Sequence, residues 1–221
     1  MARRSAAADP FVPHTLGGLT MDQVIPCNEF ALCTVRAVRG TGTGFAFLKP
    51  NWIVTAKHVV SGQPLAQPIE LLFHEGLGLP ARVLFEHPQV DLAVLEVVGN
   101  TRCRAPFMPG DRAPISSGLL CVGYKPSISD RDAGRYTAFV SAVDSYERST
   151  RQRDGYEEIL FIFPAPHCEP GHSGGPLLAP NGSVLGVVID GITLGGQHVM
   201  RATSIVAVLD HLAFATPPEV A

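Results

Sequence analysis

Short apolar runs separated by turn residues dominate the chain from Glu29 onward. Each run is four to nine residues long, which is typical of strands joined by tight turns and too short for most helices. The runs lie at 30–38, 43–48, 51–56, 69–73, 81–86 and 91–98, and then at 118–124, 135–143, 157–163, 176–179, 183–190 and 196–202. Only residues 204–215, SIVAVLDHLAFA, have helical spacing, with Ser204 as the predicted N-cap.

This pattern predicts an all-β fold of two six-stranded antiparallel β-barrels followed by a C-terminal helix. We expect the first barrel within residues 29–100 and the second barrel, with the helix, within 118–215. A Pro-rich and polar linker at 101–117 would join them. Residues 1–28 and 216–221 are predicted to be flexible tails.

One segment, residues 145–158, carries charges of both signs around the turn dipeptide Asp154-Gly155. It predicts the solvated tip of a hairpin. A regulatory or partner-contacting loop is the alternative interpretation.

Composition narrows the class of protein. Hydrophobic residues make up 46% of the 221 and the net charge is −3, which favours a folded core and gives no reason to expect a nucleic-acid partner. No apolar run is long enough to span a membrane, and no apolar stretch follows the N-terminal arginines as in a signal peptide. The five cysteines form no C-x-x-C pair, so we expect a reducing, cytoplasmic location without a metal or cofactor.

The stretch GHSGGP, residues 171–176, is the strongest chemical motif. It fits the G-x-S-x-G elbow of α/β-hydrolases and equally the G-x-S-G-G-P loop of serine proteases. An elbow serine must be followed by further strands, helices, an acid and a histidine, and residues 174–221 contain no βαβ alternation. The elbow interpretation therefore fails on architecture.

Two upstream residues supply the partners that a protease serine needs. His58 ends the Gly-rich stretch GTGTGFAFLKPNWIVTAKH, and Asp91 opens DLAVLEV. The order His58, Asp91, Ser173, with these flanks, resembles the trypsin-like (chymotrypsin-fold) serine proteases, and most of all the bacterial HtrA/Deg-type protease domain. Each residue alone has a structural explanation, and Asp111 is a rival acid, but the joint occurrence favours a catalytic triad.

The resemblance implies a role for each residue. Ser173 would be the nucleophile, His58 the general base, and Asp91 the group that orients and stabilises the imidazole. The backbone N–H groups of Gly171 and Ser173 would form the oxyanion hole.

Two features depart from the trypsin pattern. His172 stands where trypsin zymogens carry the aspartate that binds a newly cut N-terminus, so Leu16-Gly17-Gly18 is not expected to act as an activation site. No PDZ domain of the HtrA kind is expected after the terminal helix.

Substrate selection is less determined by the sequence. The resemblance implies a primary pocket, S1, that binds the substrate residue P1 on the acyl side of the cleaved bond. His167 occupies the position of trypsin's pocket aspartate, so the residues do not indicate a Lys or Arg at P1. A small or medium apolar P1 and an acidic P1 are the two candidates. The predicted substrate-binding residues are His167, Cys168, Ile189, Asp190, Gly191 and His198.

The sequence thus predicts a serine endopeptidase acting on polypeptides, with a specific partner protein encoded nearby as a further expectation. Neither nucleic acid nor membrane is an expected partner. The alternative is a catalytically silent pseudoprotease that binds peptides or proteins.

Overall fold

The computed structural model describes residues 30–64, 66–73, 77–110, 119–126, 136–143, 146–164 and 171–215. The two predicted tails and most of the second half of the predicted linker lie outside these residues.

The first unit is a closed barrel in the strand order β1-β2-β3-β6-β5-β4. Its interior is filled by apolar side chains that alternate with outward-facing ones, including the fully buried Val35, Phe45 and Leu95. The six strands are β1 (Leu32–Ala37), β2 (Gly40–Phe47), β3 (Lys49–Thr55), β4 (Ile69–Phe73), β5 (Gly78–Glu86) and β6 (Ala93–Val97). The predicted six-stranded first barrel is confirmed.

The second unit is an antiparallel sheet in the order β8-β7-β11-β12-β13-β10-β9. Its seven strands are β7 (Leu119–Pro126), β8 (Tyr136–Val143), β9 (Glu147–Arg153), β10 (Tyr156–Pro164), β11 (Pro176–Leu178), β12 (Val184–Leu194) and β13 (Gln197–Ser204). They comprise the six predicted strands and β9 in addition. The predicted all-β fold is confirmed, but the second unit is a seven-stranded sheet where the prediction was a six-stranded barrel.

Strand β9 comes from the charged segment that we expected to be only a hairpin tip. Asp154 and Gly155 both have positive φ, 49° and 80°, as the tight turn of a hairpin requires. The turn is therefore where the sequence predicts it. The segment before it is not only a tip, however, because β9 and β10 extend from the turn as a regular pair of strands. Glu158 is 1% exposed, and Arg151 donates hydrogen bonds of 3.0 and 2.5 Å to one of its carboxylate oxygens. Glu158 is thus part of the interior and not of a solvated tip.

Two helices complete the described fold, α1 (Lys57–Val60) and α2 (Val206–Ala215). Ser204 Oγ accepts a hydrogen bond from the Val206 N–H at 3.3 Å, as expected of the residue that caps α2. The ring of His211 in α2 stacks on Phe85 of β5, so this helix packs on the first barrel. Among the described residues, neither helix has the length and apolar character needed to cross a membrane.

The middle of the predicted linker is bonded to both units. Phe107 is buried, its N–H donates to the Ala46 carbonyl, and its carbonyl accepts from the Leu48 N–H. One residue later, the Met108 carbonyl accepts from the Val184 N–H of β12. Residues 107–110 therefore join the barrel to the second sheet directly.

The described cysteines are buried. Burial raises the pKa of the Cys33 thiol, aided by the nearby Cys103, and burial likewise raises the pKa of Cys103. Cys121 is also buried, whereas Cys27 and Cys168 lie outside the described residues. The two thiols with raised pKa values are poor nucleophiles at neutral pH.

Candidate active site

His58 and Asp91 meet because of the pairing of β3 with β6. These strands are antiparallel, and Thr55 at the end of β3 lies opposite Ala93 at the start of β6. The chain leaving β3 forms α1, which carries His58, and the turn entering β6 carries Asp91. Residues far apart in the sequence are thus brought to the same edge of the barrel.

Asp91 contacts His58 with both carboxylate oxygens. Oδ2 lies 2.7 Å from the ring Nδ1, and Oδ1 accepts the backbone N–H of His58 at 2.8 Å. The carboxylate therefore favours the tautomer with hydrogen on Nδ1 and leaves Nε2 as the basic nitrogen. The imidazole side chain is 49% exposed and Asp91 27%, so substrate can approach the ring.

The same contacts shift both pKa values. The hydrogen bond to Asp91 raises the pKa of His58 above its ordinary 6.5 against the effect of burial, and the charges of Asp91 and Asp190 act in the same direction. For Asp91, burial alone would raise the pKa, but the hydrogen bonds and charge of His58, together with Lys57, lower it below its ordinary value. The pair is therefore a carboxylate beside an imidazole of increased basicity.

The raised pKa of His58 can be compared with the pKa values of two other histidines in the same molecule. Burial lowers the pKa of His87, with help from His211 and Lys57, and burial lowers the pKa of His211. We expect NMR titration of the ring Cε1–H signals to give a midpoint above 6.5 for His58 and below 6.5 for the other two. Single His→Gln variants would show which signal belongs to which histidine. A His58 midpoint below that of His211 would contradict the contact with Asp91.

The segment that carries Ser173, residues 171–175, is called the Ser173 loop. Gly171 and Gly174 have positive φ, 108° and 88°, which allows the chain to reverse tightly around the serine. The Gly174 N–H donates to the Val188 carbonyl at 2.7 Å, and the Gly175 N–H donates to the His172 carbonyl at 2.8 Å. The first bond fixes the loop to β12 on one side, and the second closes the loop on itself.

On the other side the loop touches the first barrel. The Ser173 carbonyl accepts a hydrogen bond of 2.8 Å from the Thr43 N–H of β2. A Cβ on Gly42 would lie 2.6 Å from this carbonyl, and a Cβ on Gly174 would lie 2.1 Å from the Thr43 carbonyl. The glycines of GTGTG and GHSGG therefore permit the barrel that carries His58 to contact the loop that carries Ser173.

Gly174 gives a stability prediction with a matched control. Gly174→Ala combines positive φ with a backbone overlap, so we expect it to lower the free energy of unfolding by about 3 kcal/mol. Gly182 has a similar φ of 80°, but a Cβ added there would meet nothing within 4 Å, and Gly182→Ala is expected to cost about 1 kcal/mol. Urea denaturation of both variants measures the difference. Equal losses would show that close contact with the barrel is unimportant.

The Ser173 hydroxyl points toward β12. Its Oγ lies 3.3 Å from the Ile189 carbonyl, and among the described residues no hydrogen bond joins it to the His58 ring. The pairing of β12 with β13 shifts register between Val188 and Asp190, which leaves Ile189 as the extra residue of a β-bulge. The bulge frees the Ile189 carbonyl from the ladder and turns it toward the serine.

The wall beside Ser173 contains the four predicted substrate-binding residues that the structure describes, Ile189, Asp190, Gly191 and His198. Asp190 is paired across the strands with Arg201, which donates hydrogen bonds to both of its carboxylate oxygens. Exposed His198 lies over Gly191, since a Cβ there would be 3.0 Å from its ring. His167, Cys168 and Asp111 lie outside the described residues.

His172 is buried, at 1% exposure, although it precedes the half-buried Ser173. Its ring packs against the backbone of Gly123 in β7, where a Cβ would come within 2.5 Å of His172 Cδ2. The histidine thus occupies interior space. The sequence Leu16-Gly17-Gly18 lies outside the described residues.

Two contributors to this region are not evident from the motifs. Arg201 holds the Asp190 carboxylate, and Thr43 bonds the Ser173 loop. For Thr43 the available signal was its position between two glycines in a strand, which implies a close backbone contact. The contact of Arg201 with Asp190 could not be predicted, because it depends on the register between β12 and β13.

Comparison with known proteins adds family evidence to this geometry. The family model described as the trypsin-like peptidase domain matches residues 42–187, which include His58, Asp91 and Ser173. The uncharacterized protein y4bJ of Sinorhizobium fredii is 32% identical over 153 residues, 69% of this chain and 22% of the relative. A probable periplasmic serine endoprotease DegP-like of Chlamydia trachomatis is 30% identical over 151 residues, 68% of this chain and 28% of the relative. The chain thus spans 22% and 28% of the length of these relatives.

Among solved structures, the active form of the Rv3671c protease from M. tuberculosis is similar over nearly the whole chain. The TM-score is 0.68 at 23% sequence identity, covering 96% of this chain and 93% of that one. This likeness concerns the fold.

Proposed function

The chain belongs to the trypsin-like peptidase domain family, and from this premise we propose that it is a serine endopeptidase. Ser173 attacks the carbonyl carbon of a peptide bond, the amine leaves, and water then hydrolyses the acyl-enzyme. The observation that carries the proposal is the double contact of Asp91 with His58 on the barrel edge that also touches the Ser173 loop.

In the proposed reaction the Ser173 hydroxyl first leaves the Ile189 carbonyl. The proposed mechanism requires Oγ to turn to Nε2 of His58, which accepts the proton as the serine attacks. His58 then gives this proton to the leaving amine. Asp91 keeps its charge throughout and stabilises the imidazolium, in agreement with its lowered pKa.

Backbone amides of the Ser173 loop would stabilise the negative oxygen that forms in this reaction. The His172 carbonyl is held by the Gly175 N–H, and in a trans peptide the Ser173 N–H points the opposite way. This direction is away from the bond that closes the loop. We assign the oxyanion hole to the N–H groups of Ser173 and Gly171.

For substrate binding we propose the wall formed by Ile189, Asp190, Gly191 and His198, together with His167 and Cys168. Arg201 already neutralises Asp190, so this carboxylate is not available to bind a Lys or Arg side chain. A small or medium apolar P1 and an acidic P1 are the two preferences that fit this wall. Profiling with a peptide library would separate them.

We propose polypeptides as substrates, and a specific partner protein encoded nearby as a narrower possibility to test. The chlamydial relative is periplasmic by its name, whereas the cysteine pattern of this chain predicts a cytoplasmic enzyme. The relative therefore does not support the cytoplasmic location, which stays a prediction.

A fluorophosphonate probe tests the proposed function, because it reacts only with a serine that an active site has activated. We expect covalent labelling of the native protein at a single residue, with mass spectrometry placing the label on Ser173. Heat-unfolded protein serves as the control and should not react. The labelled enzyme should also have lost the ability to cleave a protein substrate such as casein.

Two added assays, peptide binding and turnover of a long-chain ester, distinguish the alternative functions. Native protein that neither reacts with the probe nor cleaves casein, but binds peptides, would be a pseudoprotease. Turnover of a long-chain ester without any peptide cleavage would indicate a lipase or esterase instead.

A further inference from the structure

Thr43 makes four hydrogen bonds from a side chain and backbone that are fully buried. Its N–H donates to the Ser173 carbonyl at 2.8 Å, and its Oγ1 donates to the Gly171 carbonyl at 2.6 Å. Oγ1 also accepts the Tyr124 N–H at 2.8 Å, and the Thr43 carbonyl accepts the Thr55 hydroxyl at 2.7 Å. One residue of the first barrel therefore bonds the carbonyls of both residues assigned to the oxyanion hole.

The direction of the Thr43 hydroxyl is determined by its neighbours. The Tyr124 N–H can only donate, so Oγ1 must accept from it and direct its own hydrogen elsewhere. The Gly171 carbonyl can only accept, and it lies 2.6 Å away. The hydroxyl thus bridges the backbone of β7 in the second sheet and the backbone of the Ser173 loop through two hydrogen bonds.

The bonds from Thr43 hold two peptide planes of the loop, one on each side of the plane that carries the Ser173 N–H. Holding the Gly171 carbonyl fixes the plane between residues 171 and 172, and holding the Ser173 carbonyl fixes the plane between 173 and 174. The plane between them, which carries the Ser173 N–H, is fixed by the Gly175 N–H on the His172 carbonyl. The first and third planes depend on Thr43, and the hydroxyl controls the first.

We propose that Thr43 is a positioning residue for the oxyanion hole, acting through the Ser173 loop and not through contact with substrate. Its hydroxyl sets the orientation of the loop at Gly171, and its N–H sets it at Ser173. The contact also makes the geometry of the hole depend on how the first barrel meets the second sheet. This inference rests on the proposed endopeptidase function.

The decisive comparison is Thr43→Val against Thr43→Ser. Valine has nearly the same shape without a hydroxyl, so the Gly171 carbonyl and the Tyr124 N–H lose their partner. We expect kcat per titrated active site to fall about 10²-fold with KM changed less than about threefold, as when an oxyanion-hole donor is lost. Thr43→Ser keeps the hydroxyl and should restore kcat to within about fivefold of wild type.

Thr34 provides a matched control. It is also fully buried, lies directly opposite Thr43 in the pairing of β1 with β2, and its hydroxyl has no hydrogen-bond partner within the described residues. Thr34→Val therefore makes the same chemical change without affecting the loop, and kcat should be unchanged. If Thr43→Val does not fold, Thr43→Ala takes its place, with the loss of kcat again measured per titrated active site.

The outcomes separate positioning from general stability. A lower melting temperature with unchanged kcat per active site in Thr43→Val or Thr43→Ala would overturn the proposal, as would equal losses of kcat in Thr43→Val and Thr43→Ser. Wild-type protein that neither cleaves peptides nor reacts with a fluorophosphonate would refute the endopeptidase function, and the positioning role with it.

Discussion

Replacing Ser173 by alanine is expected to lower kcat for peptide hydrolysis about 10⁶-fold, because the substitution removes the only atom that can form the acyl-enzyme. Stability should change little. Within the described residues the hydroxyl makes one hydrogen bond, 3.3 Å long, to the Ile189 carbonyl, and losing such a bond costs about 1 kcal/mol or less. Rates measured with a fluorogenic peptide, together with thermal denaturation, test both parts of the prediction.

The control is Ser183→Ala in the turn between β11 and β12. In the part of the chain that the structure describes, its hydroxyl bonds only the neighbouring Asn181 side chain, at 2.6 Å, so both activity and fluorophosphonate labelling should persist. Retention of more than about 1% of wild-type kcat in purified Ser173→Ala would contradict the assignment, since residual catalysis by binding and the oxyanion hole alone is far smaller.

The fold was predictable because each strand is a short run with its own alternation and its own turn. The first barrel illustrates this: Phe45, Ile53 and Leu95 are buried in three strands that the pattern identifies independently. The strand missed by the pattern is β9, ERSTRQR, which lacks apolar residues. It forms because its backbone hydrogen-bonds to β10 and because Arg151 pairs with the buried Glu158. Neither cause is visible in the sequence of the strand itself.

The site was predictable only in part, for a related reason. Motif order identifies His58, Asp91 and Ser173, and the pairing of β3 with β6 brings the first two into contact. The orientation of the serine hydroxyl depends on the bulge at Ile189, which is a matter of register between β12 and β13. The role of Thr43 depends on how two units pack, which no local pattern records.

The contacts of the Ser173 loop indicate how the two units cooperate. The first barrel supplies the proposed base and its acid, and the loop that leads into β11 of the second unit supplies the proposed nucleophile, so the proposed catalysis requires a fixed distance between them. Thr43 on one side and Gly174 on the other form a direct connection beside the serine, with backbone so close that a single Cβ would overlap. Small displacements at this connection should therefore affect rate before they affect folding.

Asp91→Asn is expected to lower kcat about 10⁴-fold, the loss typical of a triad whose histidine is held in the wrong tautomer. Asp91 uses both oxygens as acceptors, one for the His58 N–H and one for ring Nδ1–H. Asparagine has only one acceptor oxygen. Because the backbone N–H cannot become an acceptor, the oxygen stays with it and the amide NH₂ faces Nδ1. The ring hydrogen then moves to Nε2, where it blocks proton transfer from Ser173.

The pH profile distinguishes this cause from misfolding. In the wild type the acidic limb of kcat/KM should have its midpoint above 6.5, since His58 must be neutral to act and Asp91 raises its pKa. In Asp91→Asn the midpoint should move to lower pH, because the main cause of the raised pKa is gone. Asp154→Asn, in an exposed turn whose φ of 49° suits asparagine, is the matched control and should behave as wild type. An unchanged midpoint in Asp91→Asn would refute the assignment of Asp91 as the partner of the catalytic base.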